Sequence, residues 1–160
     1  ASGADKLIVN TLLHTNPREF QNMSEFFGQQ CMVASVDFKK NQNDSGYCVF
    51  VERGKTQVNA DPVAWVLRAE LLGAGEIFLN SIDHDGARKG YCREVLRKIC
   101  KTSRLPVVAF GGVLNWDHLI EGIEDGADAV AVANQLHYTE MSAKKAKKYM
   151  LSKGVSLRKE

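Results

Sequence analysis

The sequence predicts an α/β chain built from repeated strand–helix units, and three observations predict it. A Gly-Ala phrase recurs ahead of apolar runs. Gly3-Ala4-Asp5 precedes Lys6-Leu7-Ile8-Val9-Asn10, Gly73-Ala74-Gly75 precedes Glu76-Ile77-Phe78-Leu79-Asn80, and Gly126-Ala127-Asp128 precedes Ala129-Val130-Ala131-Val132-Ala133-Asn134. Such self-similarity marks one supersecondary unit used several times. The apolar runs are unbroken rather than alternating, as in parallel strands covered on both faces. Amphipathic stretches with cap signals fill the intervals.

The elements follow in order. Strand 6–10 is followed by a helix opening at Asn16-Pro17, an N-cap with proline at the first helical position, and reaching about Phe27. Residues 31–37 form the second strand. Residues 47–58 alternate around Arg53-Gly54-Lys55 and read as an inserted β-hairpin. Asp61-Pro62 opens the next helix, which runs to about Leu72 and leads into strand 76–80. Val95, Leu96 and Ile99 make one stripe of a helix over 91–102. Strand 106–110, a helix capped by Asn115, strand 129–134 and a helix capped by Ser142 complete the chain.

About five parallel strands mean either a barrel or a doubly wound sheet. A closed eight-unit barrel takes ~250 residues, so at 160 residues roughly three units are absent. Ala1 stands just before a helix-ending Gly-Ala, as though the chain starts within an earlier unit. No stretch reads as a linker, so residues 1–160 are expected to be a single domain.

An apolar content of 44% suffices for a core, and a net charge of +2 sets up no field that predicts nucleic acid or a membrane surface as partner. No run approaches the ~20 apolar residues of a membrane span, and no signal peptide is evident. The four cysteines show no CxxC, which suits reduced thiols of a cytosolic protein. Cys31 at a strand start and Cys100 on a helix read as small buried apolar residues. The four histidines are scattered, so neither a metal site nor a cofactor is expected. Lys144, Lys145, Lys147 and Lys148 read as the solvated face of a helix, with Ala143, Ala146 and Met150 behind.

Function in parallel α/β barrels gathers where strands end. Those ends are Asn10-Thr11, Asp37, Asn80-Ser81, Phe110-Gly111-Gly112 and Ala133-Asn134. Each alone is an ordinary turn former; five in succession at one rim point to a site. Gly111-Gly112 lets main-chain N–H groups converge on an anion ahead of a helix N-terminus. If the last two strands hold the usual phosphate-binding places, Gly111, Gly112, Ala133 and Asn134 form the cradle. Asp83 and Asp85, before Gly86, are either a plain turn or part of the site. Asp37 at a strand tip is placed for proton transfer, though no second carboxylate is evident as its partner. At the opposite rim, Lys6 and Glu76 are either solvated strand starts or charges aimed into the barrel floor.

Taken together in order, Gly3-Ala4-Asp5-Lys6 through Asn10-Thr11, Val36-Asp37-Phe38-Lys39, Gly73-Ala74-Gly75-Glu76-Ile77, and Ser81-Ile82-Asp83-His84-Asp85-Gly86 through Gly90-Tyr91 resemble one family. So do Pro106-Val107-Val108-Ala109-Phe110-Gly111-Gly112 and the closing Gly126-Ala127-Asp128 strand. The family is the cyclase subunit of imidazole glycerol phosphate synthase. The resemblance runs end to end, hairpin included, and covers the family's C-terminal portion from the fourth strand onward. It implies a partial (β/α)8 TIM barrel and a lyase that uses ammonia from a glutaminase partner. That enzyme cleaves and cyclises a phosphorylated aminoimidazole-carboxamide nucleotide in histidine biosynthesis. The resemblance makes Asp37 one of two catalytic aspartates, the other lying on a first strand that this chain lacks, so the chain alone is expected to be inactive. It makes Asn10, Thr11, Asn80, Ser81, Asp85 and Gly86 substrate-lining, and Gly111, Gly112, Ala133 and Asn134 phosphate-binding. Lys6 and Glu76 become part of an ammonia gate, and Asp5 faces the glutaminase.

Two positions depart from the family pattern: Phe110 stands where serine is usual, and so does Asn134. They resemble a paralogous branch that accompanies surface-polysaccharide amidotransferases, whose ammonia acceptor is a sugar nucleotide. Other readings are a non-catalytic, self-associating partial barrel with residual phosphate binding, and the sister isomerase of the pathway. Lys6, Glu76 and the hairpin favour the cyclase. Open strand edges predict a homo-oligomer or pairing with a missing N-terminal barrel half.

Overall fold

Seven strands form one sheet in the computed structural model, which describes residues 3–42, 46–133 and 143–158. The elements in order are β1 (Leu7–Val9), α1 (Leu12–Thr15), α2 (Pro17–Phe27), β2 (Met32–Lys40), β3 (Tyr47–Val51), β4 (Thr56–Val58) and α3 (Pro62–Leu71). They continue as β5 (Glu76–Ser81), α4 (Arg93–Thr102), β6 (Val107–Phe110), α5 (Trp116–Glu124), β7 (Ala129–Val130) and α6 (Ala143–Ser152). The parallel strands lie in the order β1-β2-β5-β6-β7, each beside its predecessor of the same set. A doubly wound sheet reverses its order at a switch point; this one never does. The winding is that of a barrel, of which these strands are a part.

Local chemistry accounts for the elements. Asn16, Asp61 and Asn115 each accept hydrogen bonds from main-chain N–H groups in the first turn of α2, α3 and α5. Ser142 lies outside the described residues. The Gly-Ala phrase has a packing reason at Gly73. Its φ is +92°, Ser24 Oγ donates to its carbonyl at 2.6 Å, and Ala74 behind it is fully buried. Glycine ends the helix in a left-handed step, and the alanine methyl fills the space beneath.

The sheet has two different faces. Ala34, Val36, Phe38, Ile77, Leu79, Val107 and Ala109 are buried, in one core with Trp65, Val66, Leu96 and Ile99 of the helices. The other face carries Ile8, Asp37, Phe78, Asn80 and Phe110, and Ile8 is 62% exposed. This is the inner face of the barrel, and the site is built at its carboxyl end.

The hairpin continues an edge of β2. β1 pairs with the first part of that strand (Leu7↔Met32 to Val9↔Ala34), and β3 pairs antiparallel with the last part (Asp37↔Phe50 to Lys40↔Tyr47). It therefore sits over the tip of β1. Two cysteine expectations are corrected: Cys31 and Cys100 are only half-buried, whereas Cys48 and Cys92 are the buried thiols. Ala143 is also exposed, so Ala146 and Met150 alone back the lysine face of α6.

Candidate active site

Register brings the site together. In parallel pairing Asp37 is partnered with Asn80, and Asn80 with Phe110, so three strand tips stand in a row. Ser35 Oγ donates to Asp37 Oδ1 at 3.2 Å, and Asn80 Nδ2 donates to the same oxygen at 3.3 Å. Burial pushes the Asp37 carboxyl above its ordinary value. The bonds from Asn80 and Ser35 pull it down, and the negative charge of Asp85 adds to the rise. A carboxyl placed in this way holds its proton more readily than a solvated one, as general acid–base work near neutral pH requires.

Next to this row is a cavity of about 170 Å³ lined by Asp85, Gly86, Arg88, Phe110, Gly111, Gly112, Ala131 and Ala133, among others. A water takes up ~30 Å³, so there is room for a larger polar group. Gly111 and Gly112 both have φ of +96°. A Cβ on Gly112 would lie 2.2 Å from the Gly90 carbonyl oxygen, and one on Gly111 would lie 2.9 Å from that of Ser81. Only glycine fits, and the chain turns so that its backbone forms the wall. The turn is braced by Gly90 N–H donating to the Gly112 carbonyl at 2.8 Å and by His84 Nδ1 donating to the Gly90 carbonyl at 2.7 Å. Asn115 then caps α5, whose N-terminus follows.

The sequence-predicted residues divide accordingly. Asp37, Asn80, Asp85, Gly86, Gly111, Gly112 and Ala133 come together at one rim. Of the two loop carboxylates, Asp83 accepts from Lys40 N–H at 2.8 Å and fastens the loop to β2, while Asp85 lines the cavity. Asn10 donates to the carbonyls of Ser35 and Phe50, and Thr11 Oγ accepts from Glu52 N–H at 3.1 Å, so both join β1 to the hairpin. Ser81 is not brought in. It lies one residue past Asn80, on the helix-facing side, and is 3% exposed. Its contribution is its carbonyl, which accepts from His84 and Asp85 N–H. Asn134 lies outside the described residues. At the opposite rim Lys6 and Glu76 form an ion pair across the barrel floor, and Asp5 beside them is exposed.

Three residues escaped the sequence reading. Ser35 was hidden in an apolar run, although counting back two from Asp37 places it on the same face. Arg88 lines the cavity with φ of +60°, and His84 braces the turn; both depend on loop geometry that carries no periodic signal. Among the described residues no three His, Cys, Asp or Glu side chains gather as metal ligands. No helix among them is long and apolar enough to cross a membrane.

A family profile described as "Histidine biosynthesis protein" matches residues 1–142. The chain belongs to that histidine-biosynthesis family. It is 38% identical over 158 residues to imidazole glycerol phosphate synthase subunit HisF of Clostridium botulinum (strain Okra / Type B1), covering 98% of this chain and 62% of that protein. It is 40% identical over 157 residues to the same-named subunit of Chlorobaculum parvum and of Chlorobaculum tepidum, with the same coverage. The chain thus spans less than two thirds of the length of these histidine-biosynthesis relatives.

Proposed function

We propose that this chain is the C-terminal portion of a cyclase of the imidazole glycerol phosphate synthase type, with residues 1–160 forming one domain. In this reading it acts on a phosphorylated aminoimidazole nucleotide with ammonia supplied by a glutaminase. Asp37 is one of two acid/base groups, and the other comes from the strands that complete the barrel. The glycine turn at Gly111 and Gly112 receives a phosphate group of the substrate, together with Ala133 and Asn134. Asn10, Thr11, Asn80, Asp85 and Gly86 line the substrate, and Ser81 supports them through its main chain.

The observation that carries this reading is the link between a desolvated carboxyl and an anion-sized cavity. Asn80 bonds to Asp37 on one side, and on the other its Oδ1 lies 3.2 Å from where a Cβ on Gly111 would stand. A proton-transfer group beside a main-chain anion cradle is what cleavage and ring closure on a phosphorylated substrate demand. In this reading Lys6 and Glu76 gate ammonia at the other rim, and their ion pair there supports it. A docked glutaminase there is supported by Asp5 and by Phe26 and Phe27 at the end of α2, which are 82% and 51% exposed.

The test supplies the missing strands as a separately expressed N-terminal portion of the Clostridium botulinum relative and measures ammonia-dependent formation of imidazole glycerol phosphate. Turnover is expected from the pair and from neither part alone. Asp37→Asn should lower it by about 10²–10⁴-fold. No turnover from the pair, or full turnover with Asp37→Asn, counts against the reading. One observation favours a second reading. Phe110 packs against Phe78 with ring centroids 5.2 Å apart and lines the cavity, so a ring surface stands at the rim in place of a hydroxyl donor. In that reading the ammonia acceptor is a sugar nucleotide, and competition between the two ligand classes separates them.

A further inference from the structure

The two carboxylate oxygens of Asp37 have unequal surroundings. Ser35 and Asn80 both donate to Oδ1. The convergence follows from the strands themselves, since Ser35 is two residues back on the same face and Asn80 is the cross-strand partner. The Asn80 amide is committed to this bond at a cost. Its own Oδ1 is buried and accepts no hydrogen bond among the described residues. Rotating the amide by half a turn would set that oxygen against the carboxylate instead. A buried acceptor left unpaired is unfavourable, so the orientation is worth keeping only if donation to Asp37 outweighs it.

We propose that Asn80 is a positioning residue for Asp37: with Ser35 it clamps Oδ1, which leaves Oδ2 as the oxygen that exchanges protons with the substrate. The proposal rests on the reading of Asp37 as the proton-transfer group. Charged neighbours sharpen it. Asp85 faces Asp37 from the loop after β5 and opposes its ionisation. Lys39, two residues along on the same face, turns its amine to the Gly54 carbonyl at 3.3 Å and over the Phe50 ring at 4.8 Å. From β1, β3 and β6 the neighbouring tips are the uncharged Asn10, Phe50 and Phe110. The two donors are therefore what keeps the ionised form within reach.

The experiment follows the Asp37 carboxyl carbon by ¹³C NMR through a pH titration of the whole chain, alongside Asn80→Ala, Asn80→Asp and Ser35→Ala. Asn80→Ala should move the midpoint upward by about one unit, the worth of a hydrogen bond to a charged group. Asn80→Asp keeps the shape, removes the donor and adds a like charge, so it should move the midpoint further and couple the two titrations. Ser35→Ala should also move it upward. A residue that merely fills space would lower the melting temperature and leave the Asp37 midpoint in place; that outcome in both Asn80 variants overturns the proposal. In the reconstituted assay the acid limb of kcat should move with the same midpoint. Because the titration needs no turnover, a failure of Asp37→Asn to reduce activity would overturn the catalytic reading separately.

Discussion

Asp37 is a carboxyl held where its charge is disfavoured, and its stability consequence has a definite sign. Its folded pKa lies above the ordinary 3.8, chiefly through burial. The folded state therefore binds this proton more tightly than the unfolded state, and the group subtracts stability as pH rises through the folded value. Asp37→Asn removes that penalty. Urea melts should find the variant more stable than the parent at neutral pH, with the gap closing towards about pH 4. A gap that persists in acid means that the gain has another source. Backbone requirements are equally residue-specific. Gly112→Ala should cost about 3 kcal/mol, because it combines a left-handed φ with a main-chain clash. Gly154→Ala, with φ of +85° but nothing within 4 Å, should cost about 1 kcal/mol. Equal losses would show that crowding at the turn is immaterial. Asp37 and the two glycines were legible because residue type and strand-end position agree. Ser35 and Arg88 were not, the first because a serine in an apolar run looks like filler.

Helices α4 and α5 are joined by a clamp of their own. The Asp125 carboxylate, 2% exposed, accepts from Arg93 at 2.5 and 3.0 Å and from Arg97 at 2.6 Å. Burial raises its pKa, but the hydrogen bonds and charges of the two guanidinium groups more than offset this and hold it below the usual value. The clamp therefore adds stability above about pH 4, which is lost as pH falls through the lowered value. The Arg93 and Arg97 side chains are 40% and 53% exposed, so solvent screens part of the attraction. Asp125→Ala should cost about 2 kcal/mol at neutral pH by chemical denaturation. A difference that does not shrink in strong acid would contradict the assignment. Nothing in the sequence signalled this clamp, because its residues lie 28 and 32 positions apart. The helices themselves were legible from Asn-Pro, Asp-Pro and the apolar stripes. The short α1 was not, since four residues carry too little periodicity. The hairpin was readable from alternation, but not the edge on which it pairs.

For the whole molecule, winding order decides more than any single contact. The succession of strands and helices allowed a barrel or a doubly wound sheet; the unreversed strand order selects the barrel, and that order is a tertiary fact invisible to periodicity. Among the described residues β1 pairs with β2 alone and β7 with β6 alone, and Ile8 stands exposed on the inner face. Unpaired edges beside an apolar face favour association. Light scattering at micromolar concentration is expected to find a dimer or larger species, and a stable monomer would refute this. The glycine turn has a broader consequence. A grip made of main chain cannot be adjusted by exchanging side chains; a new residue there either destroys it or leaves it as it was. Under the proposed function, changes in ligand preference would enter through the groups flanking the turn, above all Phe110 and Arg88, while the main-chain hold on the substrate's phosphate would stay the same. On that proposal, a molecule arranged like this could be retargeted without relearning how to hold a phosphate.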